Sequence, residues 1–167
     1  AHLEEVRHRQ VDESNPLQVI ARGLPASPGA AVGRVVFSAD EAAKKQREGE
    51  KVILVRLETT PEDIHGIVAA EGILTSRGGM TSHAAVVARG MGKPCICGCE
   101  ALKIDYDARQ FQVDGLVVKA GDLLSLDGAS GRVMLGEVAM CDPELSPEYE
   151  ALLRWADDVA QIKVRAN

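Results

Sequence analysis

Aromatic residues make up only 3% of this chain of 167 residues. That scarcity argues against a surface that stacks on nucleic acid bases. It also leaves Val, Ile, Leu and Ala to fill the core of a chain that is 46% apolar. Cations are in deficit, with 19 Lys and Arg against 25 Asp and Glu and a formal charge of -6. A nucleic acid partner needs clustered cations, so that class is excluded. No apolar run approaches the roughly 18 residues of a membrane helix, so no membrane partner is expected. The start, AHLEEVRHRQ, is charged, unlike a signal peptide, and lacks Met, as an excised piece would. Also missing are a Walker G-K-S/T, a G-x-G-x-x-G fingerprint and a G-x-S-x-G elbow. Cys95, Cys97 and Cys99 form C-I-C-G-C rather than a C-x-x-C pair, and Cys141 lies apart. Strand alternation predicts all three on one face, as reduced, buried, small apolar side chains in a reducing compartment.

Residues 1 to about 20 are polar and read as a linker or the tail of a preceding domain. A Gly-, Pro- and Ala-rich stretch, GLPASPGAAVG, then leads into a strand at RVVF. Ser38 and Glu41 have the spacing of a capping box, predicting a helix over about 39–48 that stops at Gly49. VILVRL at 52–57 reads as a buried strand. Thr60-Pro61-Glu62-Asp63 supplies a cap hydroxyl, a first-turn Pro and acids for the next helix. A short strand at Gly72-Ile73-Leu74, a loop over 75–83, a small apolar helix and a strand at CICG follow. Between about 104 and 135 the runs FQV, LVV, LLSL and RVML, separated by Asp-Gly pairs, read as strands. Ser146-Pro147-Glu148 is placed to cap a last helix. The expectation is one compact α/β domain over about 21–140 with a β-rich second half, flanked by linker segments at 1–20 and 141–167.

Four features coincide near His83. Gly78-Gly79 lets the backbone turn tightly and bring its N–H groups to a bound group. A helix starting near Thr81-Ser82 would present free N–H donors and a positive partial charge, both suited to phosphate. No Asp or Glu occurs between Gly72 and Cys99, whereas the other helix starts are acidic. Arg77 and Arg89 lie in that acid-free window, and Arg suits phosphate through paired donors. His83 stands at the first turn, where the helix dipole favours a neutral, nucleophilic ring. Such a ring can take a group covalently and split one difficult transfer into two. Glu62 is a further candidate, for orienting the imidazole, although a first-turn acid commonly just serves its own helix. No metal site is expected, since His2, His8 and His65 lack helical spacing to His83. On spacing alone a phosphoryl acceptor, a plain anion-binding loop and a structural histidine all stay open.

The stretch GILTSRGGMTSHAAVVARGMGKPCICG resembles the phosphohistidine segment of the phosphoenolpyruvate-utilising enzymes, with G-G-x-T-x-H matched from Gly78 to His83. A second family element, S-P-G-x-x-x-G, is matched by Ser27-Pro28-Gly29 and Gly33. Met80 stands where the synthases and Enzyme I of that family usually carry Arg, so the dikinase branch is the nearer one. The resemblance spans about residues 20–165 and implies a swivelling β/β/α domain. It implies His83 as the phosphoryl carrier, with Arg77, Gly78, Gly79, Thr81 and Ser82 supporting the phosphate. It further implies an ATP-grasp nucleotide-binding domain before this chain and a pyruvate-binding barrel after it. ATP and Mg2+ would be used by the full-length enzyme, with no cofactor held by this chain. Residues 141–167 resemble the linker helix toward the barrel. A homodimer, a regulatory kinase and phosphatase acting on Thr81, and a cytoplasmic location, or plastid or glycosome in eukaryotes, belong to the same implication. The same carrier in a synthase, and a non-catalytic anion-binding module, are the alternatives.

Overall fold

In the computed structural model the described residues are 10–11, 18–138 and 140–141. The linker segments expected at 1–20 and 141–167, and the helix after Ser146, lie largely or wholly outside them. Among the described residues the chain runs β1 (Gln10–Val11), β2 (Val19–Arg22), β3 (Leu24–Ser27), β4 (Ala30–Val36) and helix α1 (Ala39–Arg47). Then come β5 (Val52–Arg56), a 3-10 turn (Pro61–Asp63) leading into α2 (Ile64–Ala69), β6 (Gly72–Thr75), α3 (His83–Met91) and β7 (Cys95–Cys97). The remainder is β8 (Lys103–Asp105), β9 (Gln110–Val113), β10 (Leu116–Lys119), β11 (Leu123–Asp127), β12 (Arg132–Leu135) and β13 (Met140–Cys141).

Eight strands form one sheet in the order β2-β12-β11-β4-β5-β6-β7-β3. The central β4, β5, β6 and β7 are parallel, and their crossovers carry the three helices. β2 and β3 lie at opposite edges of that sheet, yet only Gly23 separates them in the chain. The sheet therefore curls until its edges adjoin there, and Gly23 N–H donates to Gly131 O at 2.8 Å.

The alternation of side chains along the central strands builds two cores. Val52 and Leu54 of β5, Ile73 of β6 and Cys95 and Cys97 of β7 face Ile67 of α2 and Ala84, Ala85 and Ala88 of α3. Ile53, Val55, Leu74 and Ile96 point the other way, toward Phe111, Val113 and Val118 of the antiparallel sheet β8-β9-β10. Removing one such fully buried side chain from water is worth about 1.5–3 kcal/mol. The result is three layers, a small sheet, a large sheet and helices, which is the expected β/β/α arrangement of an α/β domain.

Two local expectations need correction. Cys99 does not share a face with Cys95 and Cys97; it packs in the core under the small sheet. β7 ends at Cys97, and Gly98 adopts φ +61, so the chain turns over before Cys99. A Cβ at Gly98 would also lie 2.8 Å from Gly78 O, so a side chain there would be strained and crowded. At α1, Ser38 Oγ accepts from Glu41 N–H at 3.1 Å, but only half of the capping box forms. The Glu41 carboxylate instead pairs with Arg109, whose charged guanidinium is a stronger donor than an amide.

Candidate functional site

The loop between β6 and α3 is held from three sides. Arg77 N–H donates to Leu57 O at 2.9 Å, beside the end of β5. Thr75 Oγ1 donates to Arg77 O at 2.8 Å, and Gly98 N–H reaches the same carbonyl at 3.4 Å. Arg89, from the last turn of α3, donates to Met80 O at 2.6 Å and to Ala26 O of β3 at 3.0 Å. Arg89 is thus engaged by backbone carbonyls, which ties the loop to the sheet edge. Arg77 is exposed, and its guanidinium has no hydrogen bond or ion pair among the described residues.

The two glycines differ. Gly78 has φ +94, and a Cβ on it would come within 2.9 Å of the Ser82 Cβ, so the turn itself demands glycine. Gly79 meets nothing within 4 Å, so packing makes no such demand and the space above its backbone is open. Ser82 is the N-cap of α3, its Oγ accepting from Ala85 N–H at 3.4 Å. The first turn contains no acid, and the N–H groups of His83 and Ala84 find no acceptor among the described residues. Thr81 is exposed, and its hydroxyl makes no hydrogen bond among them.

His83 is the first residue of α3 and is half-buried. Its Nδ1 lies 2.9 Å from Oγ1 of Thr59, and its Nε2 has no partner among the described residues. Thr59 is itself buried, in the loop between β5 and the 3-10 turn. Glu62, the residue considered for orienting the ring, is exposed and has no hydrogen bond or ion pair among the described residues. Nδ1 is held three positions earlier, by a neutral hydroxyl. Sequence reading passed over Thr59 because Thr60, beside Pro61, carried the visible helix-start signal. Nothing in the spacing of 24 residues marks Thr59 as a neighbour of His83.

Beneath the cap lies a thiol pair. Cys97 Sγ is 3.6 Å from Ser82 Oγ and 3.5 Å from Cys95 Sγ. The hydrogen bond from Cys95 pulls the Cys97 thiol down to about 6; burial opposes this, and the Thr75 and Ser82 hydroxyls and Arg89 assist it. Cys95, as the partner that keeps the proton, is pushed well up by the same bond and by burial. Among the described residues no three of His, Cys, Asp and Glu gather as a metal set.

Residues 48–131 match the family described as PEP-utilising enzyme, mobile domain. The whole chain is 50% identical to a pyruvate, phosphate dikinase of Rhizobium meliloti and covers 19% of it. With 99% of its length it is 49% identical to chloroplastic pyruvate, phosphate dikinase 1 of Arabidopsis thaliana, covering 17% of it. The chain thus spans about a fifth of these relatives. A solved N-terminal domain of Enzyme 1-Nitrogen aligns over 84% of this chain and 99% of that one, at 13% identity and a TM-score of 0.42, too loose a likeness to bear on the site.

Proposed function

We propose, from the premise that the chain belongs to the family of phosphoenolpyruvate-utilising enzymes as their mobile domain, that His83 carries a phosphoryl group. The observation that carries this reading is the pairing at Thr59. A ring nitrogen attacks phosphorus only through a free lone pair, and Nε2 has no partner among the described residues. When Nδ1–H donates to Thr59 Oγ1, Nε2 is left unprotonated and free. Nε2 then forms the N–P bond, and the donor's leaving oxygen takes the electron pair of the broken P–O bond. Nδ1 keeps its proton, the ring gains positive character, and the Nδ1–H···Oγ1 bond strengthens as it does so.

The remaining groups suit the phosphoryl oxygens. Free N–H groups at the start of α3 and the dipole of a helix without first-turn acids favour an anion beside Nε2. The backbone at Gly79 is open to approach, and Arg77 supplies a guanidinium and Thr81 a hydroxyl that have no partner among the described residues. Gly78 and Ser82 build the turn that places them.

In the whole protein the proposed reaction is that of a pyruvate, phosphate dikinase: ATP, phosphate and pyruvate give AMP, diphosphate and phosphoenolpyruvate. His83 would visit an ATP-grasp domain and a pyruvate-binding barrel of the same polypeptide, so the domain must swivel, with residues 1–20 and 141–167 as its linkers. ATP and Mg2+ would be held by those partner domains. Dimerisation and regulation at Thr81 remain part of this proposal. So does a cytoplasmic or plastid location; among the described residues no helix is long and apolar enough to cross a membrane.

The test is phosphoenolpyruvate labelling of the full-length protein, followed by analysis of the phosphate bond on the peptide bearing His83. Acid-labile, base-stable phosphate is expected there and is lost in His83→Ala. Label that survives in a folded His83→Ala protein would sink the carrier reading. The purified 167-residue chain alone should turn over neither ATP nor phosphoenolpyruvate.

A further inference from the structure

Thr59 can select a tautomer of His83 only if its hydroxyl is held still, and the structure shows what holds it. The backbone is anchored just before and just after Thr59 by two side chains of one cluster. Before it, Leu57 N–H donates to the Tyr106 hydroxyl at 2.6 Å. After it, Thr60 N–H donates to Asp63 Oδ2 at 2.9 Å. Arg56 joins the two anchors. Its guanidinium lies 4.7 Å from the Tyr106 ring centroid, and its Nε lies 4.0 Å from Asp63 Oδ2. Its Nη1 is fixed by Phe37 O at 2.8 Å. Asp63 is buried, and Arg56 Nε is buried without a hydrogen-bond partner among the described residues. An unpartnered buried N–H is costly, so this cluster is poorly explained as packing alone.

Tyr106 comes from the turn after β8, in the small sheet, the layer on the far side from the helices. We propose that Tyr106, Arg56 and Asp63 are positioning residues that hold Thr59 against His83 Nδ1 and so keep Nε2 free as the nucleophile. The geometry stands by itself; its meaning as a positioning device rests on the carrier role proposed above. None of the three makes a hydrogen bond or ion pair with His83 among the described residues. Their effect passes through the rigid segment 57–60, whose Oγ1 must stay within hydrogen-bond reach of Nδ1. The smaller sheet thus takes part in the chemistry without contributing a group to it.

The test reads the tautomer directly, by 15N NMR of histidine-labelled chain of 167 residues at a pH where imidazole is neutral. The wild type is expected to hold His83 with the proton on Nδ1. Thr59→Val removes the partner and should mix the tautomers. Tyr106→Phe, which deletes one oxygen, should lower the ratio of Nδ1–H to Nε2–H by about threefold, the size of one weakened neutral hydrogen bond. Arg56→Met should act in the same direction, with Arg56→Lys restoring part of the loss. A folded Tyr106→Phe protein with the wild-type tautomer ratio overturns the proposal, and so does a Thr59→Val protein whose ratio is unchanged. Tyr106→Phe is conservative enough to decide the matter if Arg56→Met does not fold. The readout needs no phosphoryl donor, so it separates from failure of the carrier role. Tautomer shifts without acid-labile phosphate on His83 would sink that role and leave the clamp standing.

Discussion

Helices α1 and α3 are built alike and end up with opposite uses for their first turns. Each has nine residues, each begins after a serine, and each serine oxygen accepts the amide three residues on. In α1, Asp40 and Glu41 occupy the first turn and answer the helix dipole from within. In α3 that place is filled by His83, Ala84 and Ala85, and the positive end is left for an outside group. The same capping device therefore comes with an internal answer to the dipole in one helix and with none in the other. The difference is two carboxylates, and it is visible only when the two starts are set side by side.

The largest expected break is at the ring. His83→Ala or His83→Asn in the full-length protein should abolish both half-reactions while circular dichroism and thermal unfolding stay close to wild type. The control is His65, on α2, exposed and bonded to Asp40 at 2.7 Å. His65→Ala should leave turnover near normal, and equal loss from both variants would show that the helix starts are not specialised as argued.

Next in size is an acid placed where α3 has none. Thr81 is exposed and has no hydrogen bond among the described residues, and a phosphate on it would bring about -1.5 to -2 charges to the same helix start. Thr81→Asp should be inactive, with Thr81→Val and Thr81→Ser retaining much of the rate. A dead Thr81→Val enzyme would show instead that the hydroxyl is needed, and an active Thr81→Asp enzyme would refute the charge argument.

A smaller effect should separate the two caps. Ser38→Ala and Ser82→Ala are each expected to cost about 1 kcal/mol in urea unfolding. Only Ser82→Ala should also slow labelling of His83, because it loosens the turn that carries the ring. If labelling falls equally in both, the loss is one of general stability.

The smallest effect concerns a carboxylate that the fold does use. Burial would raise Asp127, but hydrogen bonds from Ser130, Arg132 and the Ala129 amide outweigh it and hold the carboxyl below its ordinary value. Its folded value is depressed, so its stabilisation is fully present above the unfolded value and is lost as pH falls through the folded one. Asp127→Asn should flatten the acid limb of the stability profile below about pH 4. An unchanged limb in calorimetric scans would show that the depression is not realised in solution.

How much of this was legible differs from segment to segment. The capped start at Ser38, the helix start near Thr81-Ser82 and the strands at β5, β6 and β9 to β12 follow from local spacing, whereas the start expected at Thr60 opens a 3-10 turn in which Asp63 Oδ2 accepts the Thr60 N–H. β2 is missed because residues 1 to about 20 read as a linker, and β3 because GLPASPGAAVG looks like a turn; both strands are shaped by edge pairing, with β12 and β7. Arg89 had the composition of a phosphate ligand, yet carbonyls of Met80 and Ala26 occupy its guanidinium. Glu62 had the better chemistry for orienting a ring, yet the residue beside Nδ1 is Thr59.

The sequence by itself determined that one helix start is capped, preceded by a Gly-Gly turn and free of acids, because these features are local and additive along the chain. It likewise determined the two-sided burial of β5, since strand alternation needs no knowledge of the partner layers. Only the tertiary structure decided which atom holds His83. That depends on β5 and β6 lying side by side, so that the loops at their ends meet. It also decided that a tyrosine from the small sheet clamps the loop carrying Thr59. Contacts between residues far apart in the chain depend on the register and curl of the whole sheet, and no local pattern encodes them.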